Sequence, residues 1–142
     1  MSEYKITMNG AQELIDDMNS LMSQCPDDVN KAMKDVAKGW RDDCNDKMPA
    51  SYDKGKRPFK KNWKTENQYG NLGIIEETTI TNESPHWHLV ENGHAKYDFH
   101  GNPTGGFVPG KHFAEKTREE YEEKYPEMMS EAVNRLLDRN NL

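Results

Sequence analysis

The stretch DDVNKAMKDVAKGWRDDCNDKMP, residues 27–49, decides the fold of this chain. Its apolar residues recur every three or four positions, the spacing that places side chains along one face of an α-helix. They are Val29, Met33, Val36, Ala37, Trp40 and Cys44. Asp27 or Asp28 can cap this helix, because a carboxylate accepts hydrogen bonds from the free N–H groups of a first turn. Pro49 disfavours helical geometry at the residue before it, so we expect the helix to end near Met48.

The segment before this helix predicts another one. AQELIDDMNSLMSQCP, residues 11–26, has apolar side chains at helical spacing, and these are Leu14, Ile15, Met18, Leu21, Met22 and Cys25. Pro26 should end this first helix. Two short amphipathic helices in succession can bury their apolar faces against each other or against a sheet.

The segment after the long helix changes its period. Residues 49–58 contain Pro and Gly and predict a loop. Residues 59–68 and 71–82 are rich in β-branched and aromatic residues, which favours two antiparallel strands with a turn near Tyr69-Gly70-Asn71. HWHLVE, residues 86–91, is interpreted as a third strand. Alternation along that strand would place Trp87, Leu89 and Glu91 on one side and His86, His88 and Val90 on the other.

The last third of the chain predicts a loop and then a helix. KYDFHGNPTGGFVPG, residues 96–110, is a long Gly-rich loop that we expect to be mobile until a partner docks on it. From Lys111 to about Asn140 the pattern is helical again, and Pro126 should kink this helix or split it. The predicted order is α-α-β-β-β-α, a single α+β domain over residues 1–142 with a small antiparallel sheet of about three strands.

The composition indicates a small hydrophobic core. Only 33% of residues are hydrophobic, 31% are charged, and the mean hydropathy is −1.11. Part of the chain is therefore loop, or part of its burial comes from neighbouring subunits. No run of residues is long and apolar enough to span a membrane, and MSEYKITMNG lacks the pattern of a signal peptide. We therefore expect no membrane partner, a location in the cytosol, and reduced thiols at Cys25 and Cys44.

The net charge of −6 is unevenly distributed. KGKRPFKKNWK, residues 54–64, has six basic residues and no acidic one. An acidic protein with one basic segment is a poor general DNA binder. The segment can contact an acidic partner or a phosphate, or it can simply be a solvated turn or strand edge.

The histidines raise the question of a metal site. On a strand, His86 and His88 would project from one face and could chelate zinc, with His94, His100 or His112 as a third ligand and Glu91 in support. This would suit a small metal-dependent hydrolase or nuclease. However, the Cys/His pairs at repeated close spacing that mark strong zinc motifs are absent, and Glu91 would lie on the opposite face. We favour polar strand residues at a surface or subunit contact, and assign no metal or cofactor.

Two other enzyme motifs also fail. Gly105, Gly110 and Lys111 have the spacing of a phosphate-binding loop, but His112 replaces the hydroxyl residue and Pro109 lacks a backbone N–H. Neither cysteine has a histidine near it in sequence, and G-x-S-x-G is absent. We therefore assign no catalytic residue. Trp40, Trp63 and Trp87 are expected in the core, since an exposed tryptophan would instead suggest an interface.

The order of several short motifs resembles a known family. These are the helix ending in Met-Pro, a Gly-containing basic loop, WHLVENGHA at residues 87–95, and GFVPGKHF at residues 106–113. This pattern is similar to the tail-completion family of long-tailed bacteriophages, also described as neck, head–tail joining or minor tail protein Z-like proteins, over most of residues 30–140. The residues that carry it are Pro49, Gly55, Val90, Glu91, Gly93, His94, Ala95, Phe107, Val108, Pro109, Gly110 and Phe113. The chain departs from the family pattern at Trp87-His88 and at residues 59–63.

The resemblance implies a structural role without enzymatic activity. Similar proteins form a ring, here expected to be a hexamer, between the tail-tube terminator and the head connector, and a role as the tail terminator itself is a nearby alternative. The implied partners are other copies of the chain and the neighbouring neck, terminator and connector proteins, while DNA passes through the channel without specific binding. The expected location is the virion, and the host cytoplasm during assembly.

The candidate interface residues combine the resemblance with the charge and aromatic patterns. They are Lys60, Lys61, Trp63, Trp87, Glu91, Gly93, His94 and Phe107. Within this set, Glu91 should accept hydrogen bonds or pair with a basic group. Gly93 should provide the unusual backbone angles of a turn.

Overall fold

A computed structural model describes residues 3–7, 12–70 and 73–140 of the chain. It contains four helices and five strands in these residues, so the class is α+β, as predicted. The elements are β1 (Glu3–Thr7), α1 (Gln12–Gln24), α2 (Pro26–Asp46), β2 (Trp63–Tyr69), β3 (Ile75–Asn82), α3 (Trp87–Asn92), β4 (Gly93–Tyr97), β5 (Pro103–Pro109) and α4 (Phe113–Arg139). Two short 3-10 turns, Ala50–Asp53 and Phe59–Lys61, lie between α2 and β2.

Helix α2 forms the centre of the core. All six residues of its predicted apolar face are buried, and α4 packs against it with Phe113, Tyr121, Met129 and Val133. The predicted cap is wrong. Cys25 occupies the N-cap position and Pro26 the first turn, because proline needs no hydrogen-bonded N–H there. Leu14, Ile15 and Met18, expected on the apolar face of α1, have side chains outside the described residues.

The larger sheet has three antiparallel strands in the order β1-β3-β2. The β2–β3 pair is the hairpin predicted from the sequence, with Trp63 opposite Asn82. Its first strand begins at Trp63 instead of Phe59, because residues 59–61 form a 3-10 turn. The third strand is β1, which pairs Tyr4 with Ile80 and was not predicted.

HWHLVE is a helix and not a strand, so that prediction is wrong. The N–H of Val90 donates to the carbonyl of His86 at 3.3 Å, which closes a helical turn. Trp87 and Glu91 are 1% and 2% exposed. Residues four apart lie on the same face of a helix and also on the same face of a strand. A helix and a strand would therefore both bury Trp87 and Glu91 together.

Residues 96–110 are also not a loop. They belong to a second, two-stranded antiparallel sheet in which β4 pairs with β5 and Gly93 lies opposite Pro109. The turn between the strands is ordered by Asp98, whose Oδ1 accepts hydrogen bonds from the N–H groups of His100 and Asn102, both at 2.9 Å. We call residues 93–109 the arm. Its strands have no buried face, so they lack the apolar alternation that marks most strands.

Helix α4 begins at Phe113 and runs without interruption to Arg139. Pro126 lies inside it, so the helix is not split there. A kink at Pro126 stays a prediction. Among the described residues, no helix has the length and apolarity that a membrane span requires.

The three tryptophans form one aromatic cluster in the core, as predicted. Trp40 and Trp63 have ring centroids 5.7 Å apart, and Trp63 and Trp87 5.1 Å apart, both with edge-to-face geometry. Phe59 packs edge-on against Trp87 at 5.5 Å. This cluster joins α2, β2 and α3, and it fixes the position of α3 against the main sheet.

Candidate assembly surfaces and the junction beneath them

Glu91 of α3 caps the N-terminus of α4. Its Oε1 accepts a hydrogen bond from the N–H of Ala114 at 3.0 Å, and its Oε2 accepts one from the N–H of Glu115 at 3.2 Å. These are the second and third residues of α4, whose N–H groups have no partner within the helix. His112 occupies the N-cap position but makes no side-chain cap bond. The carboxylate of a different helix therefore performs the capping, and its negative charge lies at the positive end of the α4 dipole.

Two glycines bring α3 into contact with the start of α4. Gly93 has φ +88°, and a Cβ there would lie 2.7 Å from the carbonyl oxygen of Val108. A Cβ on Gly110 would collide with the backbone of residues 91–93. The backbone N–H of Lys111 donates to the carbonyl of Val90 at 2.8 Å. Only glycine fits at both positions, and we call this contact the α3–α4 junction.

The junction accounts for five of the residues on which the family resemblance rests. Val90, Glu91 and Gly93 form one half of it, and Pro109 and Gly110 approach them from the other half. The expectation that Glu91 accepts hydrogen bonds is confirmed. Gly93 has the unusual backbone angles that were expected, although it ends a helix instead of forming a hairpin turn.

A buried thiol lies beneath the junction. The pKa of Cys44 is raised to about 12, chiefly by burial; a hydrogen bond with Thr117 opposes the shift and the nearby charge of Glu91 adds to it. Thr117 is itself buried and donates from its hydroxyl to the carbonyl of Phe113 at 2.8 Å. Both Cys25 and Cys44 are free thiols. Cys44 is held protonated, which suits a packing residue and not a nucleophile.

The arm exposes aromatic side chains. Phe99 is 93% exposed, Tyr97 63% and Phe107 61%, and no residue between Gly93 and Gly110 is fully buried. A two-stranded sheet is only marginally stable by itself in water. Large exposed apolar side chains on a projecting element are typical of a surface that another protein covers.

Residues 54–64, which we call the basic loop, present a second exposed surface through the side chains of Lys54, Lys56, Arg57 and Lys61. Polar side chains of the core hold its backbone, since Asn82 Nδ2 donates to the carbonyl of Phe59 at 2.8 Å and Ser84 Oγ donates to that of Arg57 at 2.7 Å. In the part of the chain that is described, Lys60 and Lys64 have acidic partners. Among the described residues, no acidic side chain forms an ion pair with Lys54, Lys56, Arg57 or Lys61. The loop therefore presents uncompensated positive charge from a fixed backbone.

The candidate interface residues fall into three places. Trp87 and Glu91 are buried within the chain, and Trp63 is half-buried in the aromatic cluster. Gly93 and His94 are half-buried at the base of the arm.

The remaining candidates lie on the two exposed surfaces. Lys61 and Phe107 are exposed, and Lys60 is half-buried. A contact of these residues with a partner stays a prediction. Tyr97 and Phe99 were not among the candidate interface residues. Aromatic residues in a hydrophilic Gly-rich segment were the sequence signal that could have pointed to them.

The geometry assumed for a metal site is wrong. His86 and His88 are exposed on or beside α3, where residues two apart project to nearly opposite sides of the helix. Across residues 3–7, 12–70 and 73–140, three or more His, Cys, Asp or Glu side chains nowhere form a group able to hold a metal ion. The two histidines therefore do not form the pair on which the hydrolase interpretation depended.

Exposed aromatic and basic surfaces above a rigid, internally capped junction are typical of proteins that act through contacts with other proteins. Residues 12–93 match the model of the HK97-gp10-like family, described as "Bacteriophage HK97-gp10, putative tail-component". The match covers more than half of the 142 residues, and the chain belongs to this family. It is thus a structural tail protein of a bacteriophage virion, which confirms the resemblance at this level. Comparison with curated proteins and with solved structures gave no match.

Proposed function

We propose that this protein completes the end of the phage tail. In this proposal, identical copies form a ring, a hexamer, at the neck between the tail-tube terminator and the head connector. The observation that carries the proposal is the arm, because Phe99 and its aromatic neighbours are exposed on an element with no buried face. Family membership supports the location in the tail.

The composition supports assembly through shared interfaces. With 33% hydrophobic residues, the chain has little apolar surface for its own core, yet it leaves three arm aromatics in solvent. Covering these side chains in a complex removes apolar area from water, which favours association at about 25 cal/mol per Å². The protein acts in this way as a structural part and not as an enzyme.

The charge distribution supports a channel through which DNA slides. The net charge of −6 repels the phosphate backbone in general, so DNA passes the ring without specific binding. The basic loop is the exception, and we assign it to an acidic neighbouring protein of the neck. The ring assembles in the host cytoplasm and remains in the virion.

A complementation experiment tests the proposal. The encoding phage, with this gene removed, is supplied either with the wild-type protein or with the variant Tyr97→Ser/Phe99→Ser/Phe107→Ser, and particles are counted by electron microscopy. We expect joined, infectious particles with the wild type, and separate heads and tails with the variant. Tyr69→Ser is the matched control, because Tyr69 is 55% exposed but lies outside the arm.

The position of the protein in the particle provides the second readout. Density or a label at the head–tail boundary supports a completion protein, whereas a position directly on the last tube ring would identify the tail terminator instead. Normal joining with the arm variant, or a position away from the tail end, would contradict the proposal.

A further inference from the structure

We propose that the arm of one copy docks into a groove between α2 and α4 of the next copy. This inference rests on the proposed ring and specifies the contact that closes it. Both partners of the contact are present in every chain, one at each end of α4. A contact between two different surfaces of identical chains is heterologous, and it generates a ring when the rotation closes.

The groove has an apolar floor and a volume of about 390 Å³. Ala32 and Val36 of α2 form one side of the floor, and Met128, Ala132 and Leu136 of α4 form the other. This volume falls within the range of roughly 300–1,000 Å³ that is usual for pockets which bury a small ligand. An aromatic side chain such as Phe99 or Tyr97 is therefore of suitable size to occupy it.

The arm of the same chain does not fill this groove. The arm returns to the body at Gly110, just before Phe113, whereas the α4 part of the groove begins at Met128. Fifteen helical residues at 1.5 Å each separate these points by about 22 Å. No arm residue is among those that line the groove. An arm that fills the groove would therefore come from a second copy.

The charges at the rim of the groove favour this occupant. Most rim charges are already paired within the chain, since Arg139 contacts Asp28 at 2.7 Å and Lys31 contacts Asp35 at 3.0 Å. Glu131 and Arg135 also line the groove, but within the described residues neither forms an ion pair. One negative and one positive charge are left at the rim.

The arm has the complementary charges at a matching separation. Lys96 and Asp98 flank Tyr97, are exposed, and form no ion pair in the described part of the chain. Lys96 lies on β4 and Asp98 directly follows the end of that strand, so their Cα atoms are about 6–7 Å apart. Glu131 and Arg135, four apart on α4, have Cβ atoms about 5–6 Å apart. Side chains alternate along a strand, so Tyr97 enters the groove while Lys96 and Asp98 stay at its rim, where Lys96 can reach Glu131 and Asp98 can reach Arg135.

The two kinds of contact have different roles. Exposed ion pairs contribute little affinity but fix the register of a contact and exclude wrong ones. The aromatic side chains, transferred from water to the groove floor, provide most of the affinity. We therefore expect loss of the aromatics to abolish the contact. Reversal of the rim charges should misalign it.

The test uses two variants that each lack one half of the contact. In the arm variant Tyr97→Ser/Phe99→Ser only the groove remains, and in the groove variant Glu131→Lys/Arg135→Glu the reversed rim charges repel Lys96 and Asp98 of an incoming arm while the variant's own arm is intact. All four side chains are exposed, so both variants should keep the fold. Sedimentation velocity measures association at concentrations where the wild type associates. We expect each variant alone to be a monomer, with association weakened at least tenfold, and their mixture to form 1:1 dimers and nothing larger.

A charge exchange provides the control. Lys96→Glu and Glu131→Lys should each weaken association, and a chain with both changes should regain it. Glu127→Lys is the matched variant, because Glu127 is exposed on α4 but does not line the groove. A mixture that stays monomeric, a single variant that associates like the wild type, or a wild type that never associates overturns the contact. If particle joining still depends on the arm, the proposed function stands despite that result.

Discussion

Glu91 stabilises the fold by capping a helix other than its own. Its buried carboxylate accepts two N–H groups at the start of α4, whereas a glutamine could accept only one and would direct its own NH₂ group at the other. Charged hydrogen bonds and helix caps each contribute about 1–3 kcal/mol. We therefore expect Glu91→Gln to lower the free energy of unfolding by about 2 kcal/mol, measured by urea denaturation with circular dichroism.

The control for this prediction is Glu119→Gln. Glu119 lies on the same helix and is exposed, so the same chemical change should alter stability by less than about 0.5 kcal/mol. Equal stabilities of the Glu91→Gln and Glu119→Gln variants would show that the cap adds nothing to stability.

The raised pKa values of Tyr125 and Cys44 predict a loss of stability at alkaline pH. Burial raises the pKa of Tyr125 from 10.0 to about 12, and that of Cys44 from 9.0 to about 12. The unfolded chain therefore loses these protons at a lower pH than the folded chain, so the stability they contribute is complete below pH 9 and falls as pH rises towards 12. Tyr125→Phe removes one of these protons, and its stability should fall less steeply between pH 9 and 11.

The readout is the midpoint of urea unfolding at each pH. Tyr69→Phe is the matched variant, since Tyr69 is exposed, and its profile should follow that of the wild type. A Tyr125→Phe profile as steep as that of the wild type would contradict the assignment.

Among the elements, those with a clear period and one buried face were predictable. The α2 face and the β2–β3 hairpin are examples, because burial on one side imposes a spacing of 3.6 or 2 residues. Helix α3 was not predictable in this way. It has six residues, and both a strand and a helix place Trp87 and Glu91 on a common side.

The arm and the junction lacked local signals for a different reason. The arm strands bury neither face. They are held in place by backbone pairing with each other, which leaves no apolar pattern in the sequence. The capping bonds join Glu91 to residues that lie 23 and 24 positions later in the sequence, and no periodicity operates over that distance. The family resemblance pointed to the motif residues on both sides of the junction, but the contact between them required the fold.

Helix α4 contains an evident source of added stability. Pro126 is exposed in its interior, where proline removes a backbone hydrogen bond and is about 3 kcal/mol less favourable than alanine. We expect Pro126→Ala to raise the free energy of unfolding by about 1–3 kcal/mol and to raise Tm, measured by thermal denaturation.

Glu127→Ala is the neighbouring control, because it changes an exposed side chain and leaves the backbone donors intact. Its effect should stay below about 0.5 kcal/mol. A Pro126→Ala variant no more stable than this control would indicate that the helix is already adapted to its proline.

For the whole molecule, stability should be unevenly distributed between the body and the arm. The arm is held chiefly by its own strand pairing and the contact with α3, whereas β3 lies between two other strands of the main sheet. In the isolated protein we expect the amide hydrogens of residues 94–108 to exchange with solvent much faster than those of β3. Hydrogen-exchange mass spectrometry measures both.

Assembly should change this pattern selectively. In purified particles, arm amides should become protected while those of β3, slow in both states, stay as they were. Equal exchange of the arm in the free and assembled protein would contradict its role as a docking element.

The arm leaves and re-enters the body at nearly the same point, since Gly93 and Gly110 lie against each other. Any pull on its tip is therefore delivered to the backbone hydrogen bonds that join residues 90 and 91 to residues 111 and 112. These bonds lie beside the capped first turn of α4, a helix of 27 residues. The α3–α4 junction is therefore the first part of the body to carry any force applied to the arm.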